Sequence, residues 1–266
     1  MCLSAWVVCE FCLSRKFRVV YSFGFCYNKK ECMDNIPDSM GNREGLSEMA
    51  LIVIEGLDGS GKGTQSALLE TYAQARGGVR KITFPDYDSP SSALVKMYLA
   101  GDFGTEAGAV NAYAASMFYA VDRFASFQTQ WKEDYHAGKT IIADRYVTAN
   151  MVYQLSKLPE TEWEDFLFWL EDLEYGKLGL PRPDRVLYLD VPPHVSQQLL
   201  QSRYGGDLSK KDIHEKDLKY LLHCRECALF AAKKLNWTVL NCADENGLRS
   251  IEDIHNEIVH ELEDLL

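Results

Sequence analysis

The residues with the clearest capacity for chemistry lie in Leu51-Ile-Val-Ile-Glu-Gly-Leu-Asp-Gly-Ser-Gly-Lys-Gly-Thr-Gln65. Gly56, Gly59, Gly61 and Gly63 punctuate a turn that also holds Asp58, Ser60, Lys62 and Thr64. A glycine-rich turn lets backbone N–H groups come close to phosphate oxygens, and a helix starting there adds the positive end of its dipole. Lys62 supplies a point charge between the outer phosphates. The chemistry implied is the cradling of a polyphosphate. In such loops a Ser or Thr usually follows the Lys; here Gly63 does, and Thr64 comes one residue later. The plain alternative is a glycine turn that only joins two elements, so the neighbouring elements decide.

Those elements have the required order. Leu51–Glu55 is an apolar, β-branched run that predicts a buried strand, and Ser66–Ala73 has helical composition. Further strands are predicted at Arg80–Pro85, Lys139–Asp144, Arg185–Val191 and Trp237–Asn241. Helices are expected over Ser91–Ala100, stopped by Gly101, over Asn111–Trp131, and from Val147. Thr161-x-x-Glu164 reads as a capping box, after which Trp163, Phe166, Leu167, Leu170 and Leu173 keep helical spacing. Another helix runs to Arg203 and one occupies about Ile213–Lys234. The last carries Ile251, Ile254, Ile258, Leu262 and Leu265 on one face. Strands alternating with helices call for an α/β fold: five parallel strands with helices on both faces, three layers in all. In such a sheet ligands bind past the carboxyl ends of the strands. The candidates there are Asp58 to Thr64, Phe84-Pro-Asp-Tyr87 and Asp144-Arg-Tyr146.

Bulk properties narrow the partners. The chain has 266 residues and a net charge of −11, which argues against a broad nucleic-acid surface. A small anion remains compatible, because local Lys and Arg outweigh a distant acidic background. No apolar run approaches the length of a membrane span. Cys2, Cys9, Cys12, Cys26 and Cys32 precede Met49, while Cys224, Cys227 and Cys242 follow it. Three scattered cysteines make no disulfide framework, so the main body is expected in the reducing cytoplasm. Cys224-x-x-Cys227 lies within a predicted helix. It reads as two small buried side chains, with half a metal site or a redox pair as the alternatives. Residues 1–48 show no periodicity and no signal-peptide pattern. The composition changes at Met49, so residues 49–266 are expected to form one domain, and 1–48 a non-native or poorly ordered extension. A small metal-binding appendage using Cys9-x-x-Cys12 is the alternative for that segment.

The combination of motifs resembles the thymidylate kinase family. Gly56-Leu-Asp-Gly-Ser-Gly-Lys-Gly-Thr-Gln65, Phe84-Pro-Asp-Tyr87, Tyr119-Ala-Val-Asp-Arg123 and Asp144-Arg-Tyr-Val-Thr-Ala-Asn150-Met-Val-Tyr153 carry the resemblance. So does Pro181-Arg-Pro-Asp184 before the strand Tyr188-Leu-Asp-Val191. The likeness covers nearly all of residues 49–266 and none of 1–48. It implies a P-loop NTPase fold, ATP with Mg²⁺, and transfer of the γ-phosphoryl group to the 5′-phosphate of a deoxynucleoside monophosphate, in a homodimer. Lys62 and the loop residues Gly56, Gly59, Ser60, Gly61, Gly63 and Thr64 would hold the donor. Arg145 would lie between donor and acceptor phosphates, with a structural ion pair to Asp144 as its alternative. Asp58 would sit near the acceptor phosphate and Mg²⁺, with Asp144 as a second metal ligand; a simple turn Asp is the alternative for Asp58. Phe84 and Tyr87 would flank the acceptor. Tyr119 and Arg123 would stack on the base and bond its edge, unless they are a core Tyr and a surface Arg. Asn150 and Tyr153 would contact thymine and crowd the sugar 2′ position. Arg203, Lys210 and Lys211, in a lid at about 202–212, would close over ATP, or else form a solvated basic loop. Asp86 stands where relatives often carry Arg or Glu, and a carboxylate there adds no attraction for a phosphate. A deoxynucleoside kinase and a non-catalytic nucleotide-binding module on the same scaffold are the competing functions.

Overall fold

In the computed structural model, residues 50–104, 106, 108–196, 218–244 and 247–266 are described. The expectations for residues 1–48 and for Arg203, Lys210 and Lys211 fall outside them. Five strands, β1 (Leu51–Glu55), β2 (Val79–Thr83), β3 (Thr140–Asp144), β4 (Arg185–Asp190) and β5 (Thr238–Asn241), pair in parallel in the order β2-β3-β1-β4-β5. All five follow the predicted runs to within a residue or two. A short hairpin, β6 (Ala243–Asp244) with β7 (Gly247–Leu248), follows.

The central strand is buried on both faces, which is why it reads as continuously apolar. Leu51 and Val53 point into one core, with Ile141 and Ala143 of β3. Ile52 and Ile54 point into the other, with Ile142 of β3. Helix α1 (Lys62–Gln74), which follows β1, covers the second core through Leu69 and Ala73. Helix α5 (Thr148–Tyr153), which follows β3, covers the first through Met151. The chain therefore leaves β1 and β3 toward opposite faces, and a crevice opens between their carboxyl ends. Register sharpens this edge. Asp144 pairs with Ile54 of β1 and with Thr83 of β2, so three strands end at nearly one level.

The helices show where local pattern was sufficient. Helix α2 (Ala93–Ala100) stops at Gly101, which takes the left-handed conformation and donates its N–H back to Met97 and Tyr98 carbonyls. Helix α3 (Ala112–Ser126) passes through a π turn at Phe127–Trp131 into α4 (Lys132–His136), so this rod runs beyond the predicted Trp131. Trp131 is fully buried against Phe127 and Tyr146.

Helix α6 (Trp163–Glu171) buries Trp163, Phe166, Leu167 and Leu170 as predicted. Its expected capping box is absent: a 3₁₀ turn over Glu160–Glu162 leads in, and the N-cap makes no side-chain hydrogen bond. The π turn Asp172–Lys177 that ends α6 buries Glu174 rather than Leu173. Helix α7 (Leu218–Leu235) buries Cys224 and Cys227 as free thiols, which matches the reading of small core side chains. Helix α8 (Ile251–Glu261) buries Ile254 and Ile258, whereas Ile251 is exposed.

Candidate active site

At the carboxyl edge of the sheet, the loop between β1 and α1 is shaped by one close approach. A Cβ on Gly56 would lie 2.6 Å from Ser60 Oγ and 2.9 Å from the Leu189 carbonyl oxygen, so only glycine fits there. Asp58, Gly59, Ser60, Gly61, Lys62, Gly63 and Thr64 then line a cleft of about 780 Å³. Phe84 and Tyr87 from the end of β2, and Asp144 and Arg145 from the end of β3, line the same cleft. Tyr119 and Arg123 reach it from α3, and Asn150 and Tyr153 from α5. Apart from Gly56, which does not line the cleft, every predicted site residue within the described chain borders this one space.

The charges converge on Asp58. Arg145 Nη2 donates to Asp58 Oδ1, and Lys62 Nζ lies 4.0 Å from the same oxygen. Tyr153 Oη accepts from Arg145 Nη2 and donates to Asp58 Oδ2, at 3.2 Å each. The guanidinium lies over the Tyr153 ring, 4.9 Å from its centre. Asp58 is thus no simple turn residue, and Arg145 pairs with Asp58 rather than with its neighbour Asp144. Burial works to raise the Asp58 pKa, but Arg145 and Lys62 outweigh it and bring it down to about 2. Lys62 is pushed down to about 8, first by burial and then by the Arg145 charge. Its ammonium donates to the Leu57 carbonyl at 2.8 Å. Arg145 also has φ 68, in the left-handed region that a non-glycine residue rarely adopts.

Three residues singled out in the sequence are held by partners that their spacing did not reveal. Arg123 is no surface residue: it is 1% exposed, and Nε and Nη2 fork onto Glu174 Oε2 and Oε1 at 2.7 and 2.5 Å. Asn150 Nδ2 donates to the Ser116 carbonyl and to Glu174 Oε1, both at 3.3 Å. Asp86 turns away from the cleft. Its carboxylate accepts from Gln130 Nε2 at 2.5 Å, and its N–H donates to Asp122 Oδ2. The carboxylate at that position is thus engaged by Gln130 and does not line the cleft.

Sequence reasoning passed over three residues here. Glu55 ends β1 fully buried, accepting from Gly56 N at 3.0 Å and Thr148 Oγ1 at 2.8 Å. Burial raises its pKa, while Arg145 and Lys62 oppose the rise. A lone acid closing an apolar strand was the available signal. Gln154 borders the cleft at 2% exposure, and its Oε1 has no partner among the described residues. It lies four residues after Asn150 on an otherwise apolar segment, a polar i,i+4 pair that marks one face. Glu174 falls four residues after Leu170, where the apolar stripe of α6 should have continued.

A glycine loop between a central parallel strand and a helix, with a lysine and an arginine meeting over one carboxylate, defines a P-loop phosphotransferase. The family model for thymidylate kinase matches residues 54–258, and the chain belongs to that family. It is 31% identical over 218 residues to the protein named "Probable thymidylate kinase" of Thermococcus onnurineus, covering 79% of this chain and 98% of that one. The thymidylate kinase of Mycobacterium tuberculosis is 31% identical over 184 residues, 68% of this chain and 84% of its own. The structure of thymidylate kinase from Candida albicans superposes with a TM-score of 0.60 at 22% identity, over 82% of this chain and 92% of that one. The last likeness concerns the fold.

Proposed function

We propose that this cleft transfers the γ-phosphoryl group of ATP to dTMP, giving dTDP and ADP. The observation that carries the reading is the meeting of Lys62 and Arg145 on Asp58 within one cleft. Phosphoryl transfer asks a protein mainly for positioning and for charge at the oxygens where it accumulates. Lys62 and the amides of residues 59–64 hold the donor phosphates. Arg145 stands on the acceptor side, where its planar fork can span oxygens of both groups. Asp58 keeps both cations oriented, and its depressed pKa means it does so as a carboxylate throughout the neutral range.

Asp58 and Asp144 both border the cleft, and the described residues hold no group of three metal-ligating side chains. That donor set suits Mg²⁺, which takes one or two carboxylates together with phosphate oxygens and water. When bound, the ion would neutralise charge on the phosphates being exchanged. Tyr119, Arg123, Asn150 and Gln154 form the wall at which the base is read, with Phe84 and Tyr87 on the acceptor side.

The α3 stripe Tyr113, Met117, Val121 and Phe124 is exposed, and we assign it to a homodimer seam. We place the reaction in the cytoplasm, where free thiols such as Cys224, Cys227 and Cys242 persist.

The test is ADP release measured across deoxynucleosides and their monophosphates. Turnover should be highest with dTMP. Turnover with thymidine but not with dTMP would overturn the reading, as would ATP binding without turnover on any acceptor.

A further inference from the structure

We propose that Glu174 is a positioning residue for base recognition, gripping Arg123 and Asn150 from behind the cleft wall. The inference rests on the reading of the cleft as the dTMP site. Glu174 is 0% exposed and does not border the cleft, whereas both residues it binds do. One carboxylate serves side chains from two different helices. Oε1 accepts from Arg123 Nη2 and from Asn150 Nδ2, and Oε2 accepts from Arg123 Nε.

The chemistry of the grip decides what each residue can still offer. A guanidinium has five N–H groups. The fork uses one on Nε and one on Nη2, and Nη1 donates to the Tyr146 carbonyl at 3.3 Å. One N–H on Nη1 and one on Nη2 remain without a partner among the described residues. Asn150 has committed its amide nitrogen to Ser116 and Glu174, which leaves Oδ1 as the atom it can present. The wall thus sets donors from Arg123 beside an acceptor from Asn150. That order matches a pyrimidine edge with a carbonyl next to an imide N–H, and opposes one with an amino group next to a bare ring nitrogen.

Stability alone does not call for this arrangement. A buried ion pair is often replaceable by apolar groups of equal volume at no loss. A side chain held by a two-point fork is, however, fixed in plane and direction, which is what reading a base edge needs. Glu174 reaches its place through the π turn that ends α6, a device common beside functional sites.

The experiment compares Glu174→Gln and Glu174→Asp with the unmodified enzyme. Gln keeps the shape but accepts through one oxygen only, and its own amide N–H₂ faces the Arg123 donors. Asp keeps the charge but falls short of the fork. For both, KM and Kd for dTMP should rise about ten- to a hundredfold, while KM for ATP stays within about twofold. The preference for dTMP over dCMP should fall with them, more in Gln than in Asp. Circular dichroism identifies a variant that does not fold; if Gln fails, Asp carries the comparison. A folded variant with a lower Tm but unchanged dTMP affinity and dTMP/dCMP ratio would overturn the proposal, as would equal losses for ATP and dTMP. Should the unmodified enzyme prefer another monophosphate, the reading of the function fails in its own control. Glu174 is then judged on that acceptor against ATP.

Discussion

Arg145 concentrates several unusual features in one residue. Its backbone is left-handed, its N–H donates to the Ile54 carbonyl, and its side chain is held by Asp58 and lies over Tyr153. Residues kept in sparsely populated backbone regions cluster at functional sites, and here the surrounding contacts fix the guanidinium at the cleft, where the proposed transfer brings two phosphates together. Arg145→Ala should lower kcat by about 10²- to 10³-fold, with ATP affinity changed little. Arg145→Lys should restore only a small part, because an ammonium cannot form the fork; steady-state kinetics with a nucleotide-binding titration check both. Position past a strand end made Lys62, Asp58 and Arg145 legible from the sequence. Glu55, Gln154 and Glu174 left only a faint trace there, a polar residue interrupting an apolar pattern, and the role of each became clear only with its partners.

Lys157 makes a different statement at the same scale. Burial depresses its pKa to about 8, although its ammonium donates to Tyr98 Oη at 2.8 Å and to the Val110 carbonyl at 3.0 Å. Below that value folded and unfolded chains both carry the proton, and the fold bears a buried charge. Between about 8 and the ordinary 10.5 the unfolded chain binds more protons, so this residue's contribution to stability rises with pH. The Tm of the unmodified protein relative to Lys157→Met should therefore improve from pH 7 to pH 10. A difference that is flat with pH would mean that the buried ammonium is not penalised.

Among the elements, two helix starts test how far local signals can be trusted. Asn111 caps α3 through Oδ1, which accepts from Ala114 N at 2.8 Å. Thr161 carries a capping signature, yet α6 begins at Trp163 after a 3₁₀ turn. Asn111→Ala should cost about 1 kcal/mol, whereas Thr161→Ala should stay within about 0.5 kcal/mol, both read from denaturant midpoints. Equal losses would mean that Thr161 caps the helix in solution. Four of the five strands were legible because short, largely apolar runs bounded by Gly, Pro and charge have few other uses, and β2, which carries Arg80 and Lys81, was marked by the Pro that follows it. The π turns at Phe127–Trp131 and Asp172–Lys177 were not. Each shifts the helical phase without any marker residue, so only packing reveals which side chains it redirects.

On the scale of the whole molecule, α3 divides its surface between two tasks. Ala112, Ala115, Ser116, Ala120, Arg123 and Ser126 are buried against the rest of the protein. Tyr113, Met117, Val121 and Phe124, spaced four, four and three residues apart, are left exposed together. Leu94, Met97 and Phe103 are exposed on and just beyond α2, which packs on α3, and Phe168 on α6. Scattered apolar residues need no explanation, but a stripe of this length on one helix marks an interaction surface. We propose a second copy of this chain as the partner, meeting it with the same stripe, since a two-fold interface places one patch against itself. Because Tyr119 and Arg123 lie on the same helix as the stripe, pairing would also stiffen the element that carries the wall we propose reads the base. Light scattering should give twice the mass of the chain at micromolar concentration. Val121→Glu with Phe124→Glu should halve it without altering the circular dichroism, since neither side chain belongs to the core. Dissociation should then raise KM for the acceptor more than for ATP. A monomeric unmodified protein at the same concentration, or a double variant that stays dimeric, would remove α3 from any such seam.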